Sequence, residues 1–211
     1  MIEVKNQFAA HGIFWMLSLP FVTLLALPAL MSASSFVVSP QEVGFFAHVL
    51  MRDVKAVEIR ADSWFKAIFE DTHITTMVRD FFNPAKSSGM SPLASRTMSL
   101  GQNYNNGVWL MVYRGLYRIA GLWPVVLAVF LSLGIPCLFD GLAVRARKAY
   151  NFQFHNPVFF WSAGHLLILV MGLGVFLPFL PIALSSTILI GFFGLFCTAI
   201  WITAANFQTG N

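Results

Sequence analysis

The sequence predicts an all-α integral membrane protein with four transmembrane helices and an amphipathic helical segment outside the membrane between helices 1 and 2. Of its 211 residues, 57% are hydrophobic and only 10% are charged, whereas about a quarter of a soluble domain is charged. The charged residues are also unevenly placed: none occurs from Asn6 to Gln41, from Ile119 to Phe139, or after Lys148. Because a helix needs about 20 apolar residues to cross the hydrocarbon core, the first two stretches hold one span each and the last holds two.

Four spans are therefore expected as helices, since lipid offers no hydrogen bonds to exposed backbone groups and the runs lack the alternation of barrel strands. Their predicted bounds are Gly12–Met31, Ile119–Phe139, Val158–Leu177 and Ile182–Ala204. We expect the first span to be retained rather than cleaved as a signal peptide. The sequence PFLP (178–181) predicts a tight hairpin before the last span, and Pro20, Pro28, Pro124 and Pro136 predict local kinks.

The chain divides accordingly into five parts. These are the N-terminus with the first span (1–31), an outer segment (32–118), the second span (119–139), a basic loop (140–157), and the last two spans with a short tail (158–211). In the outer segment, Ser39-Pro40-Gln41-Glu42 is typical of a helix start, with Ser as N-cap and Glu three residues later. Apolar residues at helical spacing predict one or two amphipathic helices over 41–83, lying on the membrane surface or against another copy. Residues 83–107, rich in Pro, Ser, Gly and Asn, read as a long loop.

Basic residues near the spans predict the orientation. Lys5, Arg145, Arg147 and Lys148 would lie on the side of the termini, against only Arg114 and Arg118 close to a span on the other side. Long segments cross the membrane with little regard to their charge, so the outer segment counts for little as a whole. The positive-inside rule therefore predicts cytoplasmic N- and C-termini, a cytoplasmic basic loop and a periplasmic outer segment.

The sequence offers little for chemistry. The net charge of +4 is compatible with nucleic acid, but seven acids balance the outer segment and we do not expect direct nucleic-acid binding. Cys137 and Cys197 fall within spans, with no spacing typical of a metal site or a disulfide framework. His165 lies inside the third span, where a hydrogen bond to a neighbouring helix is the favoured interpretation. No catalytic, cofactor or metal site is predicted, and the protein is expected not to be an enzyme.

Two groups of residues are candidates for contacts. In YRGLYR, Tyr113 and Tyr117, like Arg114 and Arg118, lie four residues apart and share helix faces. We expect these four as membrane-interface anchors; a site for anionic lipid or a partner is the alternative. The second group lies in the basic loop and is expected to contact a partner or lipid, although its bases need only fix topology and its aromatic residues only line the interface. Its members are Arg145, Arg147, Lys148, Tyr150, Phe154 and His155.

This loop also carries a family resemblance. LFDGLAVRARKAYNFQFHNP (138–157) contains Asp-Gly-Leu, a basic run and an aromatic-x-aromatic-His element in that order. Further matching segments are SWFKAIFEDT (63–72), VWLMVYRGLYR (108–118) and WITAANFQ (201–208). With these segments the chain resembles a family of inner-membrane proteins from integrating conjugative elements and conjugative plasmids, catalogued as a domain of unknown function.

The resemblance implies an inner-membrane component of bacterial conjugation and type IV secretion. It would be a non-enzymatic scaffold or a partner of the coupling ATPase that brings DNA to the secretion channel. A homo-oligomer without a cofactor is expected, with membrane lipids and transfer-apparatus proteins as partners. A small oligomeric channel or transporter is the main alternative, with Thr23, His165, Ser185, Ser186 and Thr187 as its only candidate polar stripe. A structural membrane protein outside conjugation is the third reading.

Overall fold

The computed structural model describes residues 7–82, 92–150 and 157–207, and nearly all of them are helical, with no strand among them. Along these described residues, nine α-helices follow one another: α1 Phe8–Ile13, α2 Leu19–Leu30, α3 Pro40–Gly44, α4 Val54–Phe65, α5 Ile74–Phe82, α6 Pro92–Val129, α7 Ile135–Tyr150, α8 Pro157–Phe176 and α9 Ser186–Ala205. Short π-helical turns continue α1, α3, α4 and α6 at Phe14–Ser18, Phe45–Val49, Lys66–Glu70 and Phe130–Gly134. The all-α fold class is confirmed.

Four helical stretches are long and apolar enough to cross a membrane, as the sequence predicts. They are Phe8–Leu30, Leu100–Lys148, Val158–Phe179 and Ser186–Ala205. The second is far longer than a bilayer needs, since 49 residues extend about 74 Å as a helix and the hydrocarbon core measures about 30 Å. Its uncharged part, Ile119–Phe139, is the predicted span, so the helix continues well beyond the hydrocarbon at its ends.

Two segments predicted as loops are helical instead. Residues 92–107 form the beginning of α6, and residues 140–150 belong to α7. In the second case Ala, Arg, Lys and Leu, all strong helix formers, outweigh the single Gly141. In the first, Ser, Asn and Gly are weak helix formers, and packing of α6 against other elements overrides their preference. The part of the predicted long loop at 83–91 lies outside the described residues.

Two of the four prolines in the first two spans follow a π-helical turn, and the other two lie in regular α-helix. The π-helical turns Phe14–Ser18 and Phe130–Gly134 each end two residues before a proline, at Pro20 and Pro136. Proline has no amide to donate to the preceding turn, and a π-bulge is one way in which a helix adjusts to this. Pro28 and Pro124 lie within regular α-helix.

The described residues form two compact units. The first comprises residues 7–20, 123–150, 157–177 and 184–207, and the second comprises residues 21–82, 92–122 and 178–183. In the first unit, α9 packs along α7 and α8, and α8 also packs against Phe8–Ser18. Close packing depends on glycine: a β-carbon at Gly172 would lie 2.8 Å from the carbonyl oxygen of Trp15. His11 and His165 pair across the same contact, with their Nδ1 atoms 3.0 Å apart, which confirms the predicted helix-to-helix bond of His165.

In the second unit, side chains of α3 and α4 contact α6. The predicted helix start is confirmed: Ser39 caps α3, its hydroxyl accepts from the Glu42 amide at 3.3 Å, and Pro40 is the first helical residue. The predicted amphipathic region 41–83 is divided into three pieces rather than one or two. The chain breaks before α4, where the Asp53 carboxylate accepts from the Lys55 and Ala56 amides, and again before α5 at His73, whose φ is 59°.

We expect Gly172→Ala to lower the stability of the first unit by about 1–3 kcal/mol, because the new methyl group meets backbone that has little room to move. Gly191→Ala is the matched control: a β-carbon there has no atom within 4 Å, so the change should be neutral or slightly stabilising. Melting temperatures of the two variants in mild detergent test this. Equal melting temperatures would contradict the close approach of α8 to Trp15.

Candidate functional site

The basic residues that the sequence selects lie at the end of α7. Arg145 and Lys148, three residues apart, share one face of the helix, while Arg147 and Tyr150 share another. Arg147 is exposed, and Tyr150 is 85% exposed. Arg145 and Lys148 are partly buried. Phe154 and His155, the other two predicted contact residues, lie outside the described residues.

The partly buried face of α7, with Arg145 and Lys148, contacts the end of α9. The Lys148 ammonium donates to the Asn206 side-chain oxygen at 3.1 Å, and the Ala205 carbonyl oxygen lies 3.5 Å away. The Arg145 guanidinium carbon stands 5.3 Å from the centre of the Phe207 ring, a cation–π contact. The bases of this face therefore have structural partners in the first unit, and the other face remains for an outside contact.

The neighbouring Asp-Gly-Leu element packs against the same partner segment. Asp140 accepts a hydrogen bond from the Trp201 indole at 2.7 Å. A β-carbon at Gly141 would lie 2.7 Å from the Trp201 carbonyl oxygen and 2.8 Å from the Ala204 methyl. Glycine is thus needed for close approach of α7 to α9. Two of the segments that carry the family resemblance, 138–157 and 201–208, are in this way partners in one contact.

The other two matching segments are partners in the second unit. Tyr113 donates to the Asp62 carboxylate at 2.7 Å. The rings of Phe65 and Phe69 meet the Trp109 ring edge-on, with centroids 5.9 and 5.5 Å apart, within the range of favourable aromatic pairs. The segment 63–72 therefore packs on 108–118, and no pattern in the sequence indicates this pairing.

Arg114, Tyr117 and Arg118, expected as membrane-interface anchors, are buried inside the protein. Arg114 is 2% exposed, Tyr117 1% and Arg118 0%, so they cannot reach lipid headgroups, and the prediction is wrong for these three. The physical reason is Glu42, whose carboxylate is fully buried beside them. Tyr113 is half-buried, and its role as an anchor stays a prediction.

Glu42 binds both arginines. Arg114 donates through Nε and Nη2 to Glu42 Oε2 at 3.2 and 2.8 Å, and its Nη1 donates to the Ser35 carbonyl at 3.0 Å. Arg118 donates to Glu42 Oε1 through Nε and to Oε2 through Nη2, the latter at 3.1 Å. One carboxylate facing two guanidiniums leaves an excess positive charge, so further acceptors are required for burial.

Backbone carbonyls of the segment 178–183 supply those acceptors. Arg118 Nη1 donates to the carbonyls of Pro178 and Leu180 at 3.1 and 2.7 Å, and Nη2 donates to that of Ile182. The predicted hairpin at 178–181 is thus held by an arginine, and α9 begins at Ser186, four residues later than the predicted span. Glu42, which the sequence marks only as part of a helix start, thus binds two arginines far away in the chain, and no local motif reveals these partners.

Among the described residues no three His, Cys, Asp or Glu side chains lie close enough to hold a metal ion. The Tyr117 hydroxyl, beside the ion cluster, has no hydrogen-bond partner among the described residues, and the Tyr117 ring packs edge-on against Phe46. The feature available for binding is the end of α7, which is held against the end of α9 and has an exposed face with a basic and an aromatic residue.

We expect Glu42→Gln to lower the stability of the second unit by about 3–5 kcal/mol, because two buried guanidiniums lose their counter-charge. Glu58→Gln is the matched control, since the Glu58 side chain is exposed and its loss should stay within about 0.5 kcal/mol. Thermal unfolding in detergent, followed by tryptophan fluorescence, measures both. The ion cluster would be unimportant for stability if the two variants unfolded together.

Comparison with protein families matches residues 31–208 to a family described as IncC plasmid conjugative DNA transfer protein DtrJ-like. The match includes both pairs of packed segments and the three residues of the ion cluster. Searches of curated proteins and of solved structures gave no match. Because the matched range covers most of the 211 residues, the resemblance to a conjugative plasmid family is confirmed. The chain belongs to the DtrJ-like family of conjugative DNA transfer proteins.

Proposed function

We propose that this member of a conjugative transfer family is a non-enzymatic inner-membrane scaffold that docks the coupling ATPase of type IV secretion through the exposed face of α7. The single observation that carries the proposal is the division of the basic residues at the end of α7. Arg145 and Lys148 fasten the helix end to α9, and Arg147 and Tyr150 stand exposed on another face. A fixed helix presenting an arginine and an aromatic ring suits a protein partner, because these residue types dominate binding hot spots.

Orientation supports a cytoplasmic position for this face. On the opposite side, Arg114 and Arg118 are the only bases close to a span, and both are buried with Glu42. Glu42 therefore compensates part of their charge, while Arg145, Arg147 and Lys148 cluster at one helix end. The positive-inside rule then favours cytoplasmic termini and a cytoplasmic end of α7 more strongly than counting sequence charges does.

Self-association is the second part of the proposal. The outer segment keeps large apolar side chains exposed, among them Ile59, Met77 and Phe81 at 62%, 74% and 79%. Exposed apolar side chains on amphipathic helices are typical of a contact with another copy or with the membrane surface. A homo-oligomer would gather several docking faces around one secretion apparatus.

We expect the double variant Arg147→Gln, Tyr150→Ala to lower the frequency of plasmid transfer at least about tenfold and to abolish co-purification of the coupling protein, because both exposed anchors of the face are removed. The readouts are mating assays with a plasmid lacking the native gene and pull-down from mildly solubilised membranes. Arg60→Gln is the control, an exposed base on α4 in the other unit.

Normal transfer by the double variant, at normal membrane abundance, would refute the docking face. Solute-specific flux in proteoliposomes of the purified chain would instead favour the channel alternative. An equal drop in transfer frequency for the control and the double variant would indicate a general effect of surface charge and not a docking face.

A further inference from the structure

An open groove of about 430 Å³ lies in the first unit between α7, α8 and α9. Phe130, Leu138 and Leu142 form one wall, and Leu167, Ile200 and Phe207 contribute to the others. Its volume falls within the range of about 300–1,000 Å³ typical of sites for small molecules. The lining is apolar except for Thr203 and for Arg145, which lies at one end.

The groove follows the helix axis over the depth of one lipid leaflet. Its lining residues Phe130, Leu138, Leu142 and Arg145 recur at helical spacing, and the first and last are separated by about 22 Å at 1.5 Å per residue. Half of a bilayer, headgroups included, measures about 20–22 Å. Arg145 lies beyond Asp140, the first charged residue after the second span, and therefore at the level expected for headgroups.

The shape and lining of the groove suit a lipid chain. It is apolar along most of its length and open at its side, and these features fit a single hydrocarbon chain that enters from the surrounding lipid. Its outer edges remain open, since Phe130, Leu138 and Phe207 are each more than 40% exposed.

The charge at the end of the groove selects the headgroup. The Arg145 guanidinium can donate in the bidentate manner that suits phosphate oxygens, and its Phe207 contact fixes its position. Lys148, three residues further along the same face of α7, adds positive charge nearby. Asp140, the acid closest in sequence, accepts from Trp201 and does not line the groove. A zwitterionic lipid would bring its own ammonium group against these bases.

We infer that this groove is a binding site for one anionic phospholipid, with the phosphate at Arg145 and an acyl chain along Leu142, Leu138 and Phe130. The neighbouring groove, of about 550 Å³, shares Phe130 but is lined only by apolar residues and glycine, so it has no group to select a headgroup. Lipid binding would fill the space beside α7 and α9 and so stabilise the helix end that carries Arg147 and Tyr150.

Native mass spectrometry of the full chain in mild detergent tests the site. The probes are phosphatidylglycerol and phosphatidylethanolamine with identical acyl chains. We expect one phosphatidylglycerol to bind at least about tenfold more tightly than phosphatidylethanolamine. Arg145→Gln should weaken the binding of phosphatidylglycerol about tenfold, because the charged hydrogen bonds to the phosphate are lost. Arg147→Gln is the matched control, because it removes the same charge from the face outside the groove.

A second variant tests the apolar part. Thr203 lines the groove, and Thr203→Trp should fill it and weaken phosphatidylglycerol binding about tenfold while every charge is kept. The proposed site is overturned if the wild type does not prefer phosphatidylglycerol, or if inorganic phosphate displaces the lipid. It is also overturned if Arg145→Gln and Arg147→Gln lower the affinity for phosphatidylglycerol equally, or if Thr203→Trp binds this lipid as tightly as the wild type does. The purified chain alone is used, so these results are independent of whether the coupling ATPase docks on α7.

Discussion

Hydrocarbon cannot hydrogen-bond a polypeptide, and this constraint governs where the chain is helical and how its helices end. Continuous helices satisfy their own backbone groups, and so the long apolar runs have no other conformation to adopt. Where the chain must turn, at 178–183, two prolines remove donors and several carbonyls need partners. Arg118 supplies them, and Glu42 in turn compensates the charge that Arg118 brings into the interior. Arg118 thus joins a helix of the outer segment, α6 and the turn at 178–183 in one hydrogen-bonded network. The Glu42 carboxylate of this network also binds Arg114.

The segments that identify the family acquire a physical meaning in the structure. They form two contacts, 63–72 with 108–118 in the second unit and 138–150 with 201–207 in the first. The first combines aromatic packing with a hydrogen bond from Tyr113 to Asp62, the residue just before the segment 63–72. The second combines a hydrogen bond from Trp201 to Asp140 with the cation–π contact between Arg145 and Phe207. Because the partners are far apart in sequence, these residues specify tertiary pairing rather than local conformation, and they define the frame on which the exposed end of α7 is displayed.

The end of α7 combines three roles within eleven residues, from Asp140 to Tyr150. Asp140 and Lys148 fasten it to α9, Arg145 closes an apolar groove, and Arg147 with Tyr150 remains exposed. Helical geometry makes this possible, since residues three apart share a face and residues two apart do not. A scaffold with a lipid beside it and a protein partner in front of it would use different faces of the same helix, so the proposed contacts do not compete.

The sequence by itself determined the helical class, the four spans, the helix start at Ser39 and the family, because these follow from apolar length, local capping and motifs. It also located the basic residues, although it assigned their helix to a loop. Only the tertiary structure decided which of these residues are available. Arg114 and Arg118 look like Arg145 and Arg147 in sequence, each an arginine near the end of an apolar span. Glu42, more than 70 residues away, makes the first two part of the interior. Asn206 and Phe207 engage Lys148 and Arg145 and leave Arg147 exposed. The availability of a charge depends on partners brought together by folding, and no local pattern records them.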